Sequence, residues 1–156
     1  MYNRILVPLD GSPTSTAGLK EALKLAKSRP AKLRLLHVID EFYVFSTPDG
    51  GMNIGTIVES LKRGGKQLLH RAEQLARKQG AKPESVMVEN LAGRVADVVV
   101  QQAKRWRADV IVMGTHGRRG VTRALLGSDA EMVVRDSPVP VLLVRAAGSR
   151  RTAKKK

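Results

Sequence analysis

The stretch Met113 to Glu131, "MGTHGRRGVTRALLGSDAE", carries four glycines, three arginines and a serine able to open a helix. These are residue types that hold anions. Gly114, Gly117 and Gly127 let backbone N–H groups come close to a phosphate, and a helix beginning at Ser128 adds donors and the positive end of its dipole. Arg118, Arg119 and Arg123 are candidates to screen phosphate charge. A plainer reading competes. Ser128-Asp129-Ala130-Glu131 fits a capping box, in which the serine closes its own helix and the glycines only shape a turn. Asp129 and Glu131 already complement the helix dipole, and Asp129 would bring a carboxylate near any bound phosphate.

His116 lies in the same loop and invites acid–base chemistry, but no serine, cysteine or second carboxylate is set by the sequence as its partner. His37 falls in a predicted buried strand and reads as a satisfied core residue. His70, on a long predicted helix, reads as solvated or packed at an edge. Three separated histidines and scattered acids lack metal-ligand spacing. There is no Gly-Lys-Ser/Thr of a P-loop, and "DGSP" at residues 10–13 lacks the G-x-G-x-x-G of a dinucleotide site.

The elements that must position these residues alternate along the chain. "RILVPLD" (4–10) is a short apolar run leading into Ser12-Pro13, a cap serine followed by proline in the first helical position. Leu19, Ala22, Leu23 and Ala26 then share one helix face. "KLRLLHVID" (32–40) reads as the second strand, and residues 41–53 as a loop. A long helix follows with Ile54, Ile57, Val58, Leu61 and Leu68 on one face, interrupted by Gly64 and Gly65 and ended by Gly80. "ESVMVENL" (84–91) is the third strand, with a helix from Arg94 to Trp106 behind it. "ADVIVMG" (108–114) is the fourth strand, apolar throughout, as befits a strand covered on both faces. The helix at Ser128 and the strand "VPVLLVR" (139–145) complete the pattern.

Five strands with four intervening helices predict an α/β fold: one domain, an open five-stranded parallel sheet with helices on both faces, Rossmann-like. Ligands of such sheets bind beyond the carboxyl ends of the strands, where strand order reverses. The glycine loop, after strand four, then lies beside Asp10, at the end of strand one. That carboxylate is suited to a ribose hydroxyl.

Composition sets the outer limits. The chain has 156 residues, consistent with one domain, and no cysteine, which excludes disulfides, thiolate catalysis and cysteine zinc sites. Its first ten residues do not resemble a secretory signal, and no apolar run approaches the roughly 18 residues of a membrane span. A cytoplasmic protein with no membrane partner is expected. The net charge of +14 raises nucleic acid as a partner. Arg145, Arg150, Arg151, Lys154, Lys155 and Lys156 supply six of the 28 bases, which leaves the body at +8 against its 14 acids. Aromatics are 3%, too few for a base-stacking platform.

"GTHGRRGVTRALLGS" matches G-x2-G-x9-G-[S/T], and it stands beside "ILVPLDGS", "LLHVID", "ADVIVMGTHG" and "SPVPVLLVR". With these motifs in this order the chain resembles the nucleotide-binding branch of the universal stress protein family over residues 1–146. The remaining residues, 147–156, form a basic tail expected to be disordered. The resemblance implies an adenine nucleotide alpha hydrolase-like fold that binds ATP, with Mg2+ held through the phosphates. On matching positions, Asp10 would contact the ribose or adenine end and Val38 would pair with adenine through its backbone. Met113 and Gly114 would floor the site, while Gly117, Gly127 and Ser128 would cradle the phosphates. Pro8, His116, Arg118, Asp129 and Ala130 would complete the lining. It further implies a homodimer through the last strand (Val139 to Val144) and a stress-response switch with hydrolysis slow at best. The alternatives are a slow ATPase, a nucleic-acid-binding module using the basic surface, and a relative that kept the fold but lost the nucleotide.

Overall fold

Five apolar runs form five strands: β1 (Arg4–Pro8), β2 (Lys32–Asp40), β3 (Glu84–Asn90), β4 (Val110–Gly114) and β5 (Val141–Val144). All pair in parallel, in the order β3-β2-β1-β4-β5, so strand order reverses between β1 and β4. The structure, a computed structural model, describes residues 2–28, 30–46, 53–116 and 126–146. Gly117 and Arg118 of the expected site lie outside the described residues, as do Arg119, Arg123 and the tail from 147.

The helices are α1 (Pro13–Ser28), α2 (Glu41–Ser46), α3 (Ile54–Lys78), α4 (Val95–Trp106) and α5 (Ser128–Asp136). Because side chains alternate along a strand, each central strand feeds two cores. Ile5 and Val7 of β1 pack with Leu19 and Leu23 of α1 and Leu69 and Ala72 of α3. Leu6 packs on the other face with Val99 and Ala103 of α4 and Val133 of α5. Every residue of β4 is buried, which explains its unbroken apolarity. β5, at the sheet's edge, has no fully buried residue.

Three expectations need correction. Residues 41–46 of the expected loop are helical, and α2 makes five helices where four were expected. Gly64 and Gly65 do not interrupt the long helix: α3 runs unbroken for 25 residues. A Cβ on Gly65 would stand 2.7 Å from Cδ2 of His37, so glycine there lets α3 lie against β2. The helix accepts the cost of about 1 kcal/mol that glycine carries relative to alanine because packing more than repays it. Finally, the N-cap of α5 is Gly127 and not Ser128. Ser128 is the first helical residue, and no side chain caps this helix, so there is no capping box here.

The start of α1 and the end of α3 follow the sequence. The Ser12 hydroxyl accepts the N–H of Ser15 at 3.1 Å, the bond expected of a cap three residues ahead. Gly80 takes a left-handed φ of 83° just beyond α3.

Candidate functional site

The switch point between β1 and β4 is built by two loops bonded to each other. Beyond β1, Leu9 N–H donates to the Leu36 carbonyl at 2.8 Å and extends the pairing with β2 by one residue. The chain then turns through Asp10 and Gly11, whose φ of 84° favours glycine. Oδ1 of Asp10 accepts the N–H of Ser12 at 2.9 Å, which fixes the half-buried carboxylate at the rim. His37 is buried, and its Nδ1 bonds the Leu9 carbonyl at 2.7 Å. It is a satisfied core residue, as expected, and it also anchors the backbone one residue ahead of Asp10.

Beyond β4, buried Thr115 donates its N–H to the Val144 carbonyl at 3.0 Å, and its own carbonyl accepts the N–H of Gly127 at 2.9 Å. The loop thus leaves and returns at one point, where α5 begins. The His116 carbonyl accepts the hydroxyls of Thr14 and Ser12, joining this loop to the first turn of α1. The His116 ring bonds the Thr115 hydroxyl through Nδ1 at 2.9 Å. Two hydrogen bonds and a few residues therefore connect Asp10 to the start of α5.

Most expected site residues meet at this one end of the sheet. Pro8 closes β1, Val38 stands on β2 two residues beyond Leu36, the partner of Pro8, and Met113 and Gly114 close β4. Gly127, Ser128, Asp129 and Ala130 form the start of α5. Their backbone roles differ. The N–H of Gly127 is taken by Thr115, so its contribution is close approach and not donation. The N–H groups of Ser128, Asp129 and Ala130 precede the first internal bond of α5, Glu131 N–H to the Gly127 carbonyl at 2.9 Å, and form the donor face of the helix.

Gly114 has a reason beyond any ligand. A Cβ there would come within 2.6 Å of the Thr14 carbonyl carbon and 2.8 Å of the Ser15 nitrogen. Gly18 is nearly as tight, with its Cβ 3.3 Å from the Met113 carbonyl carbon. These two glycines let α1 cross close over the end of β4. The sequence marks Ser12 only as a helix cap and does not single out Thr14 or Thr115, the other residues that hold the two loops together. The run "SPTST" at 12–16, dense in hydroxyls beyond what one cap requires, was the available signal.

Comparison with known proteins bears on this arrangement. The family model described as "Universal stress protein family" matches residues 1–145. The chain belongs to the universal stress protein family. Universal stress protein MJ0531 of Methanocaldococcus jannaschii is 36% identical over 145 residues, covering 93% of this chain and 83% of that one. Among solved structures, protein MJ0577 of the same organism superposes with a TM-score of 0.83 at 29% identity, over 96% of this chain and 99% of its own. A universal stress protein from Archaeoglobus fulgidus, solved in complex with dAMP, superposes with a TM-score of 0.64 at 26% identity, over 92% and 98% of the two chains. The five-stranded parallel sheet with helices on both faces is thus this family's fold.

Among the described residues of this universal stress protein, no group of three His, Asp or Glu converges as metal ligands. No described helix is long and apolar enough to cross a membrane. One ion pair near the site is well formed: Lys62 of α3 meets Glu89 of β3 at 2.9 Å. Its hydrogen bond to Glu89, aided by the more distant Glu41 and Glu59 carboxylates, raises the Lys62 pKa above the ordinary lysine value.

Proposed function

We propose that this universal stress protein binds ATP across the crevice between β1 and β4 and acts as a nucleotide-dependent switch in the stress response. The observation that carries the reading is Asp10. One carboxylate oxygen is fixed by Ser12, the other has no partner among the described residues, and the donor face of α5 stands across the crevice. A carboxylate held this way accepts ribose hydroxyls, and N–H groups at a helix start donate to phosphate oxygens. Val38 offers backbone to the base, Met113 and Gly114 form the floor, and Gly117, Arg118, Gly127 and Ser128 surround the phosphates. Pro8, His116, Asp129 and Ala130 complete the wall. Mg2+ would be held mainly by phosphate oxygens, because it keeps its waters and needs few protein ligands. The relative that binds dAMP supports an adenine nucleotide in this fold.

Calorimetric titration of Mg·ATP into nucleotide-stripped protein tests this. Micromolar binding is expected, abolished by Gly117→Val and weakened about tenfold, roughly 1.4 kcal/mol, by Asp10→Ala. No binding, or equal binding by wild type and both variants, would overturn it.

The same reading includes a homodimer through β5, whose outer edge pairs with no other strand among the described residues and whose Leu142 is 37% exposed. Leu142→Lys should yield monomers by light scattering. A persistent dimer would place the interface elsewhere.

A further inference from the structure

The opposite end of the sheet has a different chemistry. A cavity of about 740 Å³ opens between the last turns of α1 and α3, and Arg4, Lys27, Lys32 and Lys82 line it with no Asp or Glu among them. Lys27, Lys32 and Lys82 have no ion-pair partner among the described residues. The two acids at strand starts on this end already have partners, Asp109 in the backbone of the cavity residues Asn3 and Arg4. Oδ2 of Asp109 accepts the N–H groups of Asn3 and Arg4 at 2.7 and 2.8 Å, and Glu84 is held by Arg34 at 2.7 Å.

The charge continues beyond the cavity. Nη1 of Arg4 donates to the Trp106 carbonyl at 2.6 Å, which joins the cavity to the end of α4, where Lys104, Arg105 and Arg107 are exposed. Lys78, also exposed, precedes the cavity residue Gln79. Cations in the last turn of a helix offset its dipole, and that accounts for Lys27, Lys78, Lys104 and Arg105. It does not account for Lys32, which opens β2, or for Lys82, which lies between α3 and β3.

A compact anion would need only the cavity. Cations running from it to the end of α4 suit a longer ligand with regularly spaced charge. With aromatics at 3%, stacking on unpaired bases has little to work with, whereas phosphate contacts need only lysine and arginine. We propose that the amino-terminal end of the sheet docks on the phosphate backbone of a nucleic-acid duplex without reading its sequence. This surface lies at the other end of the sheet from the Asp10 crevice, so its occupancy is independent of ATP.

Fluorescence anisotropy of a labelled duplex of about 20 base pairs, with the full chain at about 50 mM salt, tests the proposal. Lys27→Glu/Lys32→Glu/Lys82→Glu should weaken binding about 100-fold and flatten the slope of log K against log salt by about 3. A charge-matched control, Lys20→Glu/Arg63→Glu/Lys66→Glu, should cost far less, as should Lys154→Gln/Lys155→Gln/Lys156→Gln. Circular dichroism melts check that each variant is folded, and saturating Mg·ATP should leave duplex affinity unchanged. Equal loss in the control would mean that net charge alone attracts the duplex, and loss confined to the tail variant would move the site there. Either result overturns the proposal. So would tripolyphosphate binding lost in the first variant, alongside no duplex binding by the wild type.

Discussion

At the carboxyl ends of its strands this protein presents mostly backbone: glycines, helix-start N–H groups and hydroxyls that bond one loop to another. At the amino ends it presents side chains: lysines and arginines around an acid-free cavity. Both ends are suited to anions, but they are coupled to the fold very differently. Gly114, Thr14, Thr115 and His37 each make a contact on which packing also depends, so substitutions at these four positions act on the fold as well as on the site. Lys27, Lys32 and Lys82 have no ion-pair partner among the described residues and can be replaced with little structural consequence. The first end is part of the architecture. The second is carried on it.

The sharpest way to break this contrast is Gly114→Val. The first carbon of that side chain would already lie 2.6 Å from the Thr14 backbone, and backbone cannot swing aside as a side chain does. A loss of about 3 kcal/mol in urea unfolding is expected, the upper part of the range for overpacked sites. If the variant keeps wild-type stability, α1 is not pinned against β4 and Gly114 is there for the ligand alone.

The adjacent pair Gly64 and Gly65 tests the same idea within one helix. A Cβ on Gly64 meets nothing within 4 Å, so Gly64→Ala should stabilise by up to about 1 kcal/mol. Gly65→Ala should do the reverse, since its Cβ would press on His37. It should also weaken ATP binding, because His37 holds the Leu9 carbonyl ahead of Asp10. Equal effects from the two substitutions would remove His37 from the account of the site.

These glycines mark how far the sequence could be read. Strand periodicity, the Ser12-Pro13 helix start and the turn at Gly80 were all local signals, and the β1–β4 switch point followed from strand alternation. Gly65 and Gly114 were legible as glycines but not as packing residues, since the atoms that crowd them, in His37 and Thr14, are distant in sequence. The cap of α5 was misassigned for a related reason. Ser128 satisfies the local pattern, but the bond from Gly127 to Thr115 sets where the helix begins. The basic end was invisible as a site, because Arg4, Lys27, Lys32 and Lys82 come from separate segments and converge only when the sheet forms.

At the amino end, Lys27→Gln/Lys32→Gln/Lys82→Gln should slightly raise the melting temperature. It removes like charges that have no ion-pair partner among the described residues, a gain of a few tenths of a kcal/mol, while duplex binding falls. A lower melting temperature would mean that these lysines support the fold after all, and the contrast between the two ends would weaken.

The smallest effect expected concerns Lys62, a lysine near the carboxyl ends that does have a partner. Its folded pKa is raised above 10.5, chiefly by the hydrogen bond to Glu89. A raised folded pKa means that the folded state holds the proton more tightly than the unfolded chain. The pair's contribution is therefore complete below the ordinary lysine pKa and fades as pH climbs through the raised value. Thermal melts of wild type and Lys62→Met should differ slightly at pH 8 and converge in strongly alkaline buffer. Lys62 is solvent-accessible, so screening keeps the difference small, and added salt should shrink it further. If the gap instead widens with pH, the Lys62–Glu89 pair does not form in solution, and the paired lysine of one end is no different from the unpaired lysines of the other.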